Sequence, residues 1–341
     1  MNGPAFRQIR FSLRLSQGDL KEELNRRLSR SYDKPKISRW ENDKEAVPDD
    51  VADALSSMMR FQRHEARVLV LSNQKGGVGK TTSALNLAFA FAKLGLRVLL
   101  IDMDPQATAT AGLLADGGVE VYRQGRTSAQ LILSGKPAAE IIISKGEVIC
   151  GRSIPFDFLA SHIDLAETDG RREPGFDAAL REAVDPLRRS YDWIVIDAPP
   201  NLGMLTWMSL AAGDEAIVPV RTEPYDTMGV GLIVGTIGKI QRRLNPGLRL
   251  SGILPTQYGP RKFVDREVLG HLVDMMQGRS PVLEPVPTSA VFGHAARAGR
   301  IALEASPSSP ATNVYSRLAT ALHERTALPL AHIASEELQE A

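Results

Sequence analysis

The chain has a single cysteine, Cys150, in 341 residues. That excludes a disulfide framework and any multi-cysteine zinc or iron–sulfur site built within one chain. Its six histidines show no metal-ligand spacing, so they read as structural or surface residues. No apolar run reaches the ~18 residues that a spanning helix needs. The first twenty residues, MNGPAFRQIRFSLRLSQGDL, carry arginines where a secretory leader carries an apolar stretch. The expectation is a chain of cytoplasmic type without a membrane partner. Net charge is almost absent too: 41 basic residues face 40 acidic ones. As an average this argues against a strongly basic nucleic-acid binder. What is there is ordinary globular material, 43% hydrophobic and 24% charged, long enough for about two domains, one large and one small.

The charge is uneven. Residues 1–40 hold ten Lys and Arg against four Asp and Glu, a local +6 that leaves −5 for the remainder. A basic arm of this kind is a candidate nucleic-acid contact, against the plainer reading of a solvated helical face. From Phe6 to about Met59 the pattern is helical. Ser16 with Asp19 is a capping signature for a helix that puts Leu20 and Leu24 on one face. A polar stretch from Ser29 to Pro35 interrupts it. Lys36–Glu41 reads as a second short helix, and Pro48 opens a third carrying Val51, Ala52, Leu55 and Met58. Short helices with a cationic one in the middle suggest a helix-turn-helix arrangement, with Trp40 in its core.

From Val68 the texture changes. Apolar, β-branched runs at 68–71, 98–101, 156–159, 194–196, 216–220 and 250–254 alternate with helical stretches. Near-continuous apolar strands joined by helices mean a mostly parallel sheet covered by helices on both faces. The expected organisation is a small all-α domain over residues 1–62, an α/β domain over 63–330 and a polar, frayed tail over 331–341. The linker is expected at 60–67. Trp193 and Trp207 flank the strand at 194–196 and the helix after it, and both read as core. Cys150 stands in no nucleophile motif, so a buried or half-buried thiol is expected.

The strongest signal is Lys75-Gly76-Gly77-Val78-Gly79-Lys80-Thr81-Thr82, directly after a strand and before a helix. Glycines let backbone N–H groups turn inward around phosphate oxygens, and the helix N-terminus adds partial positive charge. In such a P-loop the lysine, Lys80, reaches the β- and γ-phosphates and the Thr81 hydroxyl sits on Mg²⁺. Two further acidic motifs end strands: Ile101-Asp102-Met103-Asp104-Pro105-Gln106 and Ile194-Val195-Ile196-Asp197-Ala198-Pro199-Pro200. Carboxylates at strand C-termini face the ligand crevice of an open α/β sheet. Taken alone, each could instead be a helix cap.

Position 74 is Gln where the ordinary phosphate-loop pattern has Gly, and position 75 is Lys. This "KGGVGKT" form resembles the deviant Walker A motif of the ParA/MinD ATPase superfamily. "DPQAT" at 104–108, "DAPPNL" at 197–202, "LNPGLRLSGILPTQY" at 244–258 and "SPSSPATNVYSRLA" at 306–319 are similar to its ParA (Soj) branch. The MinD branch ends in a membrane-binding amphipathic helix, and no strongly basic one stands at this C-terminus. The nitrogenase iron-protein branch needs cysteines that this chain lacks. Leu15-Ser16-Gln17 and Ile37–Asn42 resemble repressor-type helix-turn-helix domains, with a longer stretch between the two helices than the usual tight turn.

The resemblance implies ATP and Mg²⁺ as cofactors, with Lys75 through Thr82 and Pro287 around the nucleotide. It implies a sandwich homodimer in which Lys75 reaches the partner's nucleotide. Asp197 becomes the acid that supports Mg²⁺ through water, Asp102 its second-strand counterpart, and Asp104 the residue that positions the attacking water. It further implies non-specific DNA binding, slow hydrolysis stimulated by a ParB-like partner, and a cytoplasmic, nucleoid-associated place. The segment at 290–300 keeps Gly299 and Arg300 of the family's pattern but not its Glu-Ala-Pro core, and Arg297 and Arg300 are candidate DNA contacts. In the N-terminal segment those contacts are Gln17, Lys34, Lys36, Ser38 and Arg39, expected to read operator DNA. The alternatives are an ATP-switched transcription regulator and a positioning ATPase for cargo other than DNA.

Overall fold

The apolar runs become strands whose residues alternate between two cores. In β1 (Arg67–Leu71), Val68 and Val70 join one buried cluster while Leu69 and Leu71 join another. A strand buried on both faces has no polar side, which is why its sequence shows no alternation. The computed structural model describes residues 1–12, 15–61, 65–171 and 173–331, and divides into two compact units, Met1–His64 and Glu65–Ala341.

The first unit is helical: α1 (Gly3–Ser12), α2 (Gln17–Leu28), α3 (Lys34–Glu41) and α4 (Asp49–Phe61). The sequence predicts the last three; α1 precedes them and supplies Phe6 to the core. Ser16 caps α2 through its hydroxyl, which accepts from Asp19 N at 3.1 Å, while the Asp19 carboxylate accepts from Ser16 N at 2.9 Å. Asp33 caps α3 in the same way, accepting from Lys36 N at 2.8 Å. Pro35 belongs to the first turn of α3, where its missing N–H costs nothing. Trp40 is fully buried between Phe6, at 5.7 Å, and Tyr32, edge-on at 5.0 Å.

The second unit is built on six strands: β1, β2 (Val98–Asp102), β3 (Asp157–Leu159), β4 (Trp193–Asp197), β5 (Glu215–Arg221) and β6 (Arg249–Thr256). They pair in the order β3-β2-β4-β1-β5-β6, every pair parallel. This is the α/β sheet that the apolar runs predict. Its register decides the site. Leu71 pairs with Asp197 across β1 and β4, and Asp102 pairs with Asp197 across β2 and β4. The end of the P-loop strand and two acids therefore lie in one row at the carboxyl edge. Helices α5 (Lys80–Lys93), α6 (Met204–Ala212), α7 (Asp226–Arg243), α8 (Phe263–Met276), α9 (Ala290–Arg297) and α10 (Pro310–Glu324) include those that cover the sheet. Phe91 of α5 stacks on Trp193 at 4.3 Å, and the Arg67 guanidinium lies over the same indole.

Two expectations change. Trp207 is 42% exposed: α6 is apolar nearly all round, so composition alone does not say which residue faces outward. Cys150 is exposed rather than buried. It forms, with Gly151, the turn of a short hairpin (Val148–Ile149 with Arg152–Ser153), and both turn residues have positive φ, the signature of a type I′ turn. The linker expected at 60–67 contains the end of α4 and the start of β1, while 62–64 lie outside the described residues. Of the expected tail, Ala331 donates its N–H to Val282 O at 3.0 Å, and 332–341 lie outside the described residues.

Phe91→Ala should cost about 3–5 kcal/mol by leaving a cavity against Trp193. Denaturant unfolding followed by far-UV circular dichroism checks it.

Candidate nucleotide site

The loop after β1 turns through left-handed backbone at Gly77 (φ 72°) and Gly79 (φ 87°), conformations a side chain resists. Gly79 leads into α5, and no side chain caps that helix. Its first N–H groups are therefore offered to whatever lies in the loop, which suits an anion. The opposite rim holds the loop in shape: Thr256 Oγ1 donates to Val78 O at 2.9 Å and Gln257 Nε2 to Gly77 O at 2.9 Å. From below, Asn73 Oδ1 accepts from Lys75 N at 3.1 Å, and Asn73 Nδ2 donates to Pro219 O at 2.7 Å.

Lys80 is only 6% exposed and donates from Nζ to Lys75 O at 3.0 Å. Burial lowers its pKa, against the opposing pull of Asp197 and Asp104. Asp197 is fully buried, and neither carboxylate oxygen has a well-formed hydrogen bond. Burial first, and the Asp102 charge second, push its pKa well above the carboxylate range; the Thr81 hydroxyl and Lys80 act the other way. A buried carboxylate without partners is costly. Two unpartnered oxygens beside a threonine hydroxyl are what a hydrated divalent cation would complete, so the residues present fit Mg²⁺.

Asp102 is different. Its Oδ1 accepts from Asp104 N at 3.1 Å, and its Oδ2 accepts from Thr110 N at 3.0 Å and Thr110 Oγ1 at 2.8 Å. Both oxygens are taken by protein donors. The sequence reading of Asp102 as a metal residue therefore gives way to a shaping role on the turn that carries Asp104. Burial pushes its pKa up to about 7. Ser161 completes the turn, donating from N to Thr110 Oγ1 at 2.8 Å and from Oγ to Asp104 O at 2.6 Å. Asp104 is 8% exposed and accepts from Gln106 N at 3.0 Å. Ala107, just beyond, has φ 51°, a strained value for a residue with a Cβ.

Pro287 extends the sheet edge by bridging to Tyr258. It lines a pocket of about 240 Å³ with Gly79, Thr82, Gln257, Phe292 and Tyr315. That pocket, beside the start of α5 and partly aromatic, can take a flat apolar ring such as a nucleobase. Tyr315 is fixed there by a 3.1 Å hydrogen bond with Ser83 Oγ. Lys75 points elsewhere: its ammonium pairs with the buried Asp226 at the start of α7. Gln257, Phe292 and Tyr315 lie within the stretches at 244–258, 290–300 and 306–319, but nothing there singles them out, and Thr110, Ser161 and Asp226 stand in no motif. Arg297 and Arg300 are exposed, and Arg300 Nε lies 3.6 Å from Glu304. Arg152 Nη1 donates to Gly299 O at 2.6 Å nearby.

In the N-terminal unit, five residues separate α2 from α3. Lys34 and Arg39 are exposed and Ser38 half-buried. Lys36 and Arg39 both pair with Glu45, Arg39 at 3.3 Å. The Ser38 carbonyl accepts from Asn42 Nδ2 at 2.7 Å. Gln17 turns inward and donates from Nε2 to the buried Glu41 at 2.7 Å, beside Arg10 at 2.5 Å. Burial works against ionisation of Glu41, but these donors and Arg7 hold its carboxyl below the ordinary range. The Gln17 amide nitrogen is thus engaged within the unit.

Residues 66–250 match the AAA domain family. The chain is 36% identical over 257 residues to the chromosome-partitioning ATPase Soj of Thermus thermophilus, covering 75% of this chain and 95% of that one. It is 37% identical over 205 residues to the chromosome partitioning protein ParA of Myxococcus xanthus, covering 60% and 69%. Among solved structures, cobyrinic acid a,c-diamide synthase from Mycobacterium smegmatis, with bound ATP analog and magnesium, superposes with a TM-score of 0.65 at 30% identity, covering 78% of this chain and 100% of that one.

Two measurements follow. Lys80→Ala should abolish nucleotide binding in a fluorescent-analogue titration, since no other described cation reaches into the loop from α5. In protein kept free of metal and nucleotide, the raised pKa of Asp102 gives stability that is full below about pH 4 and lost as the pH rises through about 7. Asp102→Asn should flatten that slope in urea midpoints measured from pH 4 to 8.

Proposed function

The chain belongs to the AAA-domain family of ParA- and Soj-type P-loop ATPases, and we propose that within it the protein is a DNA-partition ATPase using ATP and Mg²⁺. The observation that carries this reading is the row formed by the P-loop, Lys80 and the unpartnered Asp197, in a chain that matches a partition ATPase along most of its α/β unit. Lys80 and the N–H groups of α5 hold the β- and γ-phosphates. Thr81 and Asp197 hold the hydrated metal, Asp197 through water. Mg²⁺, when bound, neutralises charge developing on the phosphate oxygens. Asp104, set by Asp102, Thr110 and Ser161, orients the attacking water. The pocket at Pro287 takes the base.

Lys75 of each subunit crosses to the other's phosphates and closes a sandwich dimer. The dimer assembles a cationic surface, including Arg297 and Arg300, that holds DNA without sequence preference through counterion release. Hydrolysis, stimulated by a ParB-like partner, opens the dimer and frees the DNA. The N-terminal unit is a helix-turn-helix module that reads operator DNA through Lys34, Lys36, Ser38 and Arg39 on and beside α3. The protein then works in the cytoplasm on the nucleoid.

DNA binding by the full chain, with and without a non-hydrolysable ATP analogue and at several salt concentrations, tests this. Random DNA should bind only with the analogue. Arg297→Glu/Arg300→Glu should weaken that binding and lower the salt slope by about two. Lys34→Glu/Arg39→Glu should remove operator preference alone. Binding indifferent to nucleotide would sink the partition reading, and loss of all DNA binding in the α3 variant would favour a pure transcription regulator. Asp104→Ala should leave an ATP-bound dimer with little turnover in a phosphate-release assay.

A further inference from the structure

Lys75 and Asp226 stand 151 residues apart in the chain and form an ion pair within one subunit. The Asp226 side chain is 1% exposed, whereas that of Lys75 is 38% exposed. One oxygen of Asp226 takes the Lys75 ammonium and the other accepts from Arg221 Nε at 3.0 Å. Arg221 also reaches Glu223 at 3.0 Å through Nη2. Asp226 lies in the first turn of α7, where a carboxylate is further favoured by the helix dipole.

The Lys75 backbone is already fixed by Asn73 and by Lys80 Nζ. What remains free is the four-carbon side chain, so a change of partner needs only rotamer changes. Release of the ammonium does not strand Asp226, because Arg221 stays on its other oxygen. A buried acid with two cations, one fixed on a strand end and one on a flexible stem, can exchange the second without becoming an unpaired buried charge.

We propose that Asp226 is a positioning residue that parks Lys75 on its own subunit and competes with the intersubunit reach of that lysine. This rests on the sandwich-dimer reading above. Closure of the dimer then moves the Lys75 ammonium from the Asp226 carboxylate to a phosphate of the partner's nucleotide. The strength of the Asp226 pair sets how much nucleotide closure requires. Asp226 touches no substrate and acts through Lys75.

The test uses the full chain and a non-hydrolysable ATP analogue, with dimer followed by sedimentation velocity. Asp226→Asn keeps an acceptor for Arg221 but removes the charge that holds Lys75. It should lower the analogue concentration for half-dimerisation by about tenfold, within the usual range of coupling between sites. Asp226→Glu should restore wild-type behaviour. Arg221→Gln should shift the midpoint the opposite way, because Lys75 becomes the main cation on Asp226. A merely structural role would move Asp226→Asn and Arg221→Gln in the same direction, and that result overturns the proposal. Should Asp226→Asn not fold, Arg221→Gln decides alone: an unchanged or lowered midpoint overturns the proposal. Lys75→Ala separates the two readings. If it blocks the dimer while Asp226→Asn leaves the midpoint unchanged, parking fails and the sandwich stands; if it dimerises normally with the analogue, both fall.

Discussion

The pairing of β2 with β4 puts two buried carboxylates opposite each other at the carboxyl edge of the sheet. Asp102 and Asp197 are both fully buried; burial raises the pKa of each, and the Asp102 charge raises that of Asp197 further. Like charges so placed are tolerable only if one is saturated by hydrogen bonds and the other is completed from outside. The chain divides the roles in that way. Asp102 takes three donors from its own turn and the following helix, and that turn carries Asp104 into the crevice. Asp197 takes none, and faces the P-loop lysine and threonine. The geometry of the turn that carries Asp104 is thus a by-product of satisfying one acid, while the other is left without protein donors.

The helical unit handles a buried acid by the opposite route. Glu41 gathers Arg7 and Arg10 from α1 and Gln17 from α2, all within its own unit. That network ties the start of α2 to the end of α3 and so fixes the angle at which α3 is presented. One buried carboxylate in this chain is a structural node, another has no protein donor, and the difference lies entirely in who donates to it.

The parts legible in the sequence are those whose cause is local. Six apolar runs became six strands because burial on both faces leaves a continuous hydrophobic signature. The P-loop was visible because glycine spacing and a following helix are written in consecutive residues. The capping box at Ser16 and Asp19 was visible for the same reason. What escaped depends on crossover connections: Tyr315 meets Ser83 across 232 residues, and Asp226 meets Lys75 across 151. No motif announces such meetings. The misplacements have local causes too. Trp207 sits on a helix without a polar face to orient it, and Cys150 lies at a tight turn that its neighbours Ile149 and Gly151 only partly reveal. Gln17 stands among the expected DNA contacts by resemblance, but its amide nitrogen donates to a carboxylate on another helix.

The exposed Trp207 has a practical consequence. The chain has three tryptophans; Trp40 and Trp193 are almost completely buried, in different units, while Trp207 opens to solvent on the helix that follows the Asp197 loop. Its indole is the one that an aqueous quencher such as iodide can collide with in the folded protein. The protein therefore carries its own optical reporter on that helix, readable without a label. The fraction of emission that iodide can reach tracks whether that face is open to water or covered.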